Sequence, residues 1–149
     1  MRLWRISNYA DLTGAGGLNS SGRWHSRGTE IVYLAESPAS ALLERLVHLE
    51  IDIGELPGHY QLLAVDIPDD VAFDTMDGRG LPEGWRSDDG VTRPTGDRWL
   101  QEGRTALLRV PSAIVPHTNN WLLNPNHPDA AKARIVQVIR APFDPRLFR

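Results

Sequence analysis

The sequence predicts an α+β domain built on a mostly antiparallel sheet. Segments with strand periodicity outnumber those with helical periodicity, and short connections join several of the strands. The chain has 149 residues, enough for one domain that buries roughly 70% of its unfolded surface around one core. Sequence reading therefore treats residues 1–149 as a single unit.

The elements follow in order. Leu3 to Ser7 reads as a short strand, then a glycine-rich turn (Gly14-Ala15-Gly16-Gly17), then an extended piece at Gly22 to His25. Alternation in that piece sets Arg23 and His25 on one face and Trp24 on the other. Glu30 to Ala35 is apolar on both faces, as in a buried strand. Ser37-Pro38 supplies an N-cap and a proline at the first helical position. A helix is predicted to follow, with Leu42, Leu43, Leu46, Val47 and Leu49 as its core stripe and Glu44 and His48 together on another surface. Tyr60 to Ile67 and Ala106 to Val110 read as strands, Asp97 to Glu102 as a short helix ended by Gly103, and Arg134 to Ala141 as a last strand with Val136 and Val138 on one face. Between Asp69 and Asp97 stand five glycines, two prolines and seven aspartates. Such a density of turn formers predicts a long loop, either a cover for a site or a surface insertion. The run Asn119 to Pro128 reads as a second loop, tied down by its asparagines.

Composition excludes several function classes. There is no cysteine, so disulfides, thiolate catalysis and Cys-zinc sites are ruled out, and a reducing cytoplasm is the expected compartment. No apolar run approaches the roughly 20 residues that span a bilayer, and Met1-Arg2-Leu3-Trp4-Arg5 does not resemble a signal peptide. The net charge of −3 argues against a chain whose main work is coating a nucleic-acid backbone. Fifteen of the sixteen basic residues are arginine, Lys132 being the exception. A guanidinium fork suits bidentate capture of phosphate or carboxylate, although codon bias is the simpler explanation of the excess as a whole.

The sequence has no Walker loop, no Rossmann glycine fingerprint and no Gly-x-Ser-x-Gly elbow. The five histidines show no spacing typical of metal ligands, so no metal is expected. What remains is a set of polar residues in apolar surroundings: Arg23, Tyr33, Glu44 and Ser112. Each has a purely structural reading: surface ion pair, core ring, solvated helix residue and turn former.

Taken together, Gly22-Arg23-Trp24, Gly28-Thr29, Tyr33-x-Ala35, Ala41-x-x-Glu44, Pro111-Ser112-Ala113 and Asn124-Pro125-x-His127-Pro128 shift the balance. In this order and spacing, from about Leu3 to the C-terminus, the chain resembles the RES-domain family, named for an arginine, a glutamate and a serine. The resemblance implies a fold like that of ADP-ribosyltransferases and a toxin of a bacterial toxin–antitoxin pair. It further implies consumption of NAD+, by degradation or by transfer of ADP-ribose to a protein, and a helical Xre-type antitoxin as partner. Carried over by position, it nominates Arg23, Tyr33, Glu44 and Ser112 as the site. The pattern is looser at His117, where many relatives carry an acidic residue, and across residues 69–97.

These residue types suit that chemistry. Breaking the bond between nicotinamide and ribose passes through an oxocarbenium-like sugar, which a fixed carboxylate such as Glu44 can stabilise. Arg23 offers a fork for the pyrophosphate, Tyr33 a flat face for the nicotinamide ring with a hydroxyl at its tip, and Ser112 a hydrogen bond to the carboxamide or to Glu44. Two rival readings remain: an arginine-lined binding module without turnover, and a nuclease using His25 or His48.

Overall fold

A computed structural model describes residues 1–48 and 58–148. Seven strands among them form one sheet: β1 (Arg2–Ile6), β2 (Val32–Ala35), β3 (His59–Asp66), β4 (Phe73–Thr75), β5 (Leu107–Pro111), β6 (Asn119–Leu123) and β7 (Arg134–Pro142). Their order is β4-β5-β6-β2-β1-β3-β7. Every neighbouring pair is antiparallel except β4 and β5, which run parallel. Two helices, α1 (Pro38–Val47) and α2 (Asp89–Glu102), complete the main elements among the described residues. The predicted α+β class with a mostly antiparallel sheet matches this arrangement.

The sheet is nearly divided at its centre. β1 pairs with β3 over five residues and β2 with β6 over four, yet β1 and β2 meet at a single pair, Trp4 opposite Ala35. Past that pair the two strands part, and residues on their diverging ends, Arg5, Ile6, Tyr33 and Leu34, line a cleft. Strand alternation distributes the core around it. Trp121 and Leu123 of β6 join Leu3, Val32, Leu63 and Val65 in one cluster, whereas Leu122 joins Trp24, Trp85, Trp99 and Leu100 in a second, on the side of α2.

Four elements differ from the sequence expectations. The segment 69–97 is not one loop: it holds β4, two short 3-10 turns and the larger part of α2. Helix α2 starts eight residues earlier than its apolar pattern suggested, because Asp88 caps it by accepting the Gly90 N–H at 2.9 Å and Pro94 is accommodated within it. Residues 119–123 are a central strand rather than loop, the asparagines occupying its first two positions. Gly22 to His25 forms a bend, with Trp24 and His25 both buried and Arg23 partly so. The apolar stripe of α1 also points elsewhere than predicted. Leu43 and Val47 are exposed, Leu49 lies outside the described residues, and it is Ala41 that α1 buries. Val136 and Val138 face solvent on the edge strand. A period of 3.6 or 2 locates a stripe but not which stripe turns inward. In α1 the line that borders the cleft is Ala41, Glu44 and Arg45, continued by the exposed His48 at the helix C-cap.

Helix α2 grips the bend at residues 22–26 along its whole length. Arg93 Nε donates to the Gly22 carbonyl at 2.8 Å, Thr92 Oγ1 donates to the Arg23 carbonyl, and Asp97 accepts from the Ser26 N–H at 2.8 Å and from its hydroxyl at 2.6 Å. Gly96 makes the approach possible, since a Cβ there would lie inside the Trp24 carbonyl oxygen. Gly96→Ala is therefore expected to cost about 3 kcal/mol or more in urea denaturation, whereas Val47→Ser on the exposed face of α1 should cost less than about 0.5 kcal/mol.

Candidate active site

The cleft between the diverging strands has a volume of about 600 Å³ and is bordered by Arg5, Arg23, Tyr33, Glu44, Arg45 and Asn120. Three of the four nominated residues therefore line one space. Ser112 stands behind it, 2% exposed, and reaches it through Glu44.

Glu44 projects from α1 toward the ends of β5 and β6. Its Oε1 accepts from Asn120 Nδ2 at 2.7 Å and from Ser112 Oγ at 3.1 Å. Ser112 is itself fixed, its oxygen accepting the N–H groups of Ile114 at 3.1 Å and Val115 at 3.2 Å. A carboxylate held through one oxygen in this way keeps Oε2 without a protein hydrogen bond among the described residues. That is the arrangement of a preorganised negative group rather than of a freely solvated helix residue.

Tyr33 is placed by its hydroxyl. Oη accepts the Trp24 N–H at 3.1 Å and lies 2.7 Å from His25 Nδ1, while His25 Nε2 lies 2.9 Å from the Ser20 carbonyl. Burial pushes the phenol well above its usual range. The hydroxyl expected as a polar tip for a ligand is thus spent inside the protein, and Tyr33 is among the residues that border the cleft. His25 has no ring nitrogen left for a substrate, which removes it from the nuclease reading.

Arg23 sits in the bend held by α2. Its Nη1 lies 2.7 Å from Asp89 Oδ1, with angles outside those of a hydrogen bond, and Asp89 also accepts from Arg93 at 3.0 Å. The ion-pair reading and the site reading of Arg23 therefore describe the same side chain: a carboxylate already stands at its fork. His117 lies outside this cleft, in the turn between β5 and β6, with a left-handed backbone (φ 59°).

Sequence reading missed Arg5 and Asn120. Arg5 Nη1 donates to the Tyr33 carbonyl at 3.3 Å across the gap where the strands part, and its buried Nε has no hydrogen-bond partner. Burial disfavours its charge. A charge between Trp4 and Ile6 in a strand was the available signal, and Asn120 was hidden by the assignment of its segment to a loop. Among the described residues no three His, Asp or Glu side chains converge as metal ligands would, and no helix is long and apolar enough to cross a membrane.

A profile of the RES domain matches residues 2–144 of the chain. "Toxin Res" of Pseudomonas putida is 49% identical over 148 residues, covering 99% of this chain and 100% of that protein. A "Prs ADP-ribosylating toxin" of a Sphingobium strain is 41% identical, covering 98% of this chain and 96% of the relative. In structure, the chain resembles a crystal structure of the M. tuberculosis MbcT–MbcA toxin–antitoxin complex, with a TM-score of 0.73, 17% identity, and coverage of 98% of this chain and 85% of that one. At that identity the likeness concerns fold alone.

One stability test separates the supporting residue from the carboxylate it supports. Ser112→Ala strands two backbone N–H groups and should cost about 1–3 kcal/mol, read as a lower denaturation midpoint. Glu44→Gln retains both of its hydrogen-bonding neighbours and should move the midpoint by less than half as much.

Proposed function

The chain belongs to the RES-domain family, and on that premise we propose that it is the toxin of a toxin–antitoxin pair that consumes NAD+ by cleaving the nicotinamide–ribose bond. The observation that carries the reading is Glu44, a carboxylate held through one oxygen by Ser112 and Asn120 at the side of a cleft bordered by Tyr33 and Arg23. A relative 41% identical to this chain is named an ADP-ribosylating toxin, which fits the same bond cleavage.

In this reading NAD+ lies along the cleft as substrate. Arg23 takes the pyrophosphate, exchanging the Asp89 carboxylate for phosphate oxygens. Arg5, whose Nε lacks a partner, adds a second guanidinium at the floor of the cleft. Tyr33 offers its ring to the nicotinamide. Glu44 holds ribose hydroxyls and offsets positive charge as the carbon–nitrogen bond breaks, its electron pair leaving with nicotinamide. An acceptor oxygen or nitrogen then bonds to the anomeric carbon and gives up its proton. Phosphate, water or a protein side chain all satisfy that balance. Because the pyrophosphate is held by side chains, the absence of a Walker or Rossmann loop is no obstacle.

An enzyme that drains NAD+ needs an inhibitor in its own cell. We assign that role to an Xre-type antitoxin in the cytoplasm, an assignment that accords with relatives named toxins and with the solved toxin–antitoxin complex. Asp89 shows what such a partner could present at Arg23, namely a carboxylate.

The test is nicotinamide release from NAD+ by the purified chain freed of antitoxin. Glu44→Gln should lower kcat by about 10²–10³ with KM little changed, and Arg23→Gln should act mainly on KM. Equal and negligible release by wild type and Glu44→Gln, with saturable NAD+ binding in both, would instead favour a binding module.

A further inference from the structure

We propose that His25 is a positioning residue for Tyr33, and that the cleft is competent only while His25 is a neutral ring with its proton on Nε2; this rests on the NAD+ reading above. The assignment of the proton follows from hydrogen-bond chemistry. The Ser20 carbonyl 2.9 Å from Nε2 can only accept, so Nε2 carries the hydrogen. In a neutral ring Nδ1 is then a lone pair, and the Tyr33 hydroxyl at 2.7 Å donates to it. The same hydroxyl oxygen accepts the Trp24 N–H at 3.1 Å. A directed chain results: Trp24 N–H to Tyr33 Oη, Tyr33 O–H to His25 Nδ1, His25 Nε2–H to Ser20 carbonyl.

This chain fixes two things at once. It sets the rotamer of Tyr33, a residue that borders the cleft, and it ties residues 20, 24 and 25 to β2, which places the intervening Arg23 relative to Tyr33. The surroundings leave no alternative packing. His25 is 3% exposed, a Cβ on Gly22 would overlap the Tyr33 hydroxyl, and one on Gly17 would stand 3.1 Å from His25 Nε2. Protonation breaks the order. With hydrogens on both ring nitrogens, Nδ1 becomes a donor, and the Tyr33 oxygen faces two donors while its own hydrogen loses its acceptor.

The charged groups around the pair are Asp97 and Arg93 of α2 for His25, with Asp89 of α2 also acting on Tyr33. Burial keeps His25 below its usual value, against the backbone of Ser20 and Gly17 and the charge of Asp97, which favour a charged imidazole, and together with Arg93, which opposes it. The folded state therefore favours the neutral ring. That contribution is fully present above about pH 6.5 and is lost as pH falls through the lower folded-state value.

The experiment compares wild type, His25→Asn and His25→Phe, each checked for folding by circular dichroism, for NAD+ KM and kcat across pH. It is paired with an NMR titration of the wild type that follows the His25 ring nitrogens and the Tyr33 ring signals. Asn puts an amide oxygen near the place of Nδ1 without a group that titrates; Phe keeps the ring shape without an acceptor. We expect His25→Phe to raise KM about tenfold, the size of one lost hydrogen bond, and His25→Asn to stay within about twofold of wild type while losing the acid limb of its pH profile. In the wild type the Tyr33 signals should move with the His25 titration. Wild-type KM in His25→Phe, an unchanged acid limb in His25→Asn, or Tyr33 signals indifferent to His25 would each overturn the proposal. If His25→Phe does not fold, the other two readouts decide. If wild type releases no nicotinamide, the NAD+ reading fails, and the NMR titration alone tests the lock.

Discussion

The site depends on the contact between α2 and the bend at residues 22–26. That bend contains Arg23, Trp24 and His25 in a stretch without regular secondary structure, and its own backbone supplies one hydrogen bond, from the Gly22 N–H to the His25 carbonyl at 3.0 Å. Four residues of one helix face, Thr92, Arg93, Gly96 and Asp97, meet backbone groups of Gly22, Arg23, Trp24 and Ser26 in the bend. Their spacing of one, three and one residues is what a helix supplies to a chain lying along it. Through this contact a segment rich in turn formers acquires a single conformation, and the guanidinium and imidazole it carries acquire fixed positions.

The other half of the site is made by a sheet that almost separates. Had β1 and β2 paired along their length, Arg5 and Tyr33 would lie in a continuous ladder. Meeting only at Trp4 and Ala35, they leave a gap that Arg5 bridges with one hydrogen bond to the Tyr33 carbonyl. Helix α1, which begins immediately after β2 at its Ser37 cap, then carries Glu44 to the same gap, where Ser112 from the end of β5 and Asn120 from β6 receive it. Elements distant in sequence thus converge because the central strands diverge.

Much of this was legible in the residues, and the limits are physical. The Ser37-Pro38 start of α1, the strands from Glu30, Tyr60, Ala106 and Arg134, and the α+β class follow from capping and periodicity. What periodicity lacks is a direction: Leu43 and Val47 form as regular a stripe as a core face, yet the face that turns inward carries Ala41 and Glu44. Gly90, Pro94 and Gly96 disguised the first turns of α2, although one of those glycines is required by packing against Trp24 rather than by a turn. Asn119 and Asn120 disguised β6 in the same way, and the Asn120 side chain serves a long-range partner, Glu44, that no local rule registers. The grouping of Arg23, Tyr33 and Glu44 came from a family resemblance, not from spacing, since only the fold brings them to one cleft. Arg5 stood in the sequence only as a charge inside a strand pattern, and the parting of β1 and β2 is what gives it a place at the cleft.

In the proposed function, side chains alone hold a dinucleotide in this cleft. A crystal structure of the Glu44→Gln chain with NAD+ bound tests this. The pyrophosphate is expected on Arg23 with Asp89 displaced, the nicotinamide against the Tyr33 ring, and the adjoining ribose at residue 44. NAD+ bound outside the cleft, or Arg23 still paired with Asp89 while the dinucleotide is in place, would contradict it.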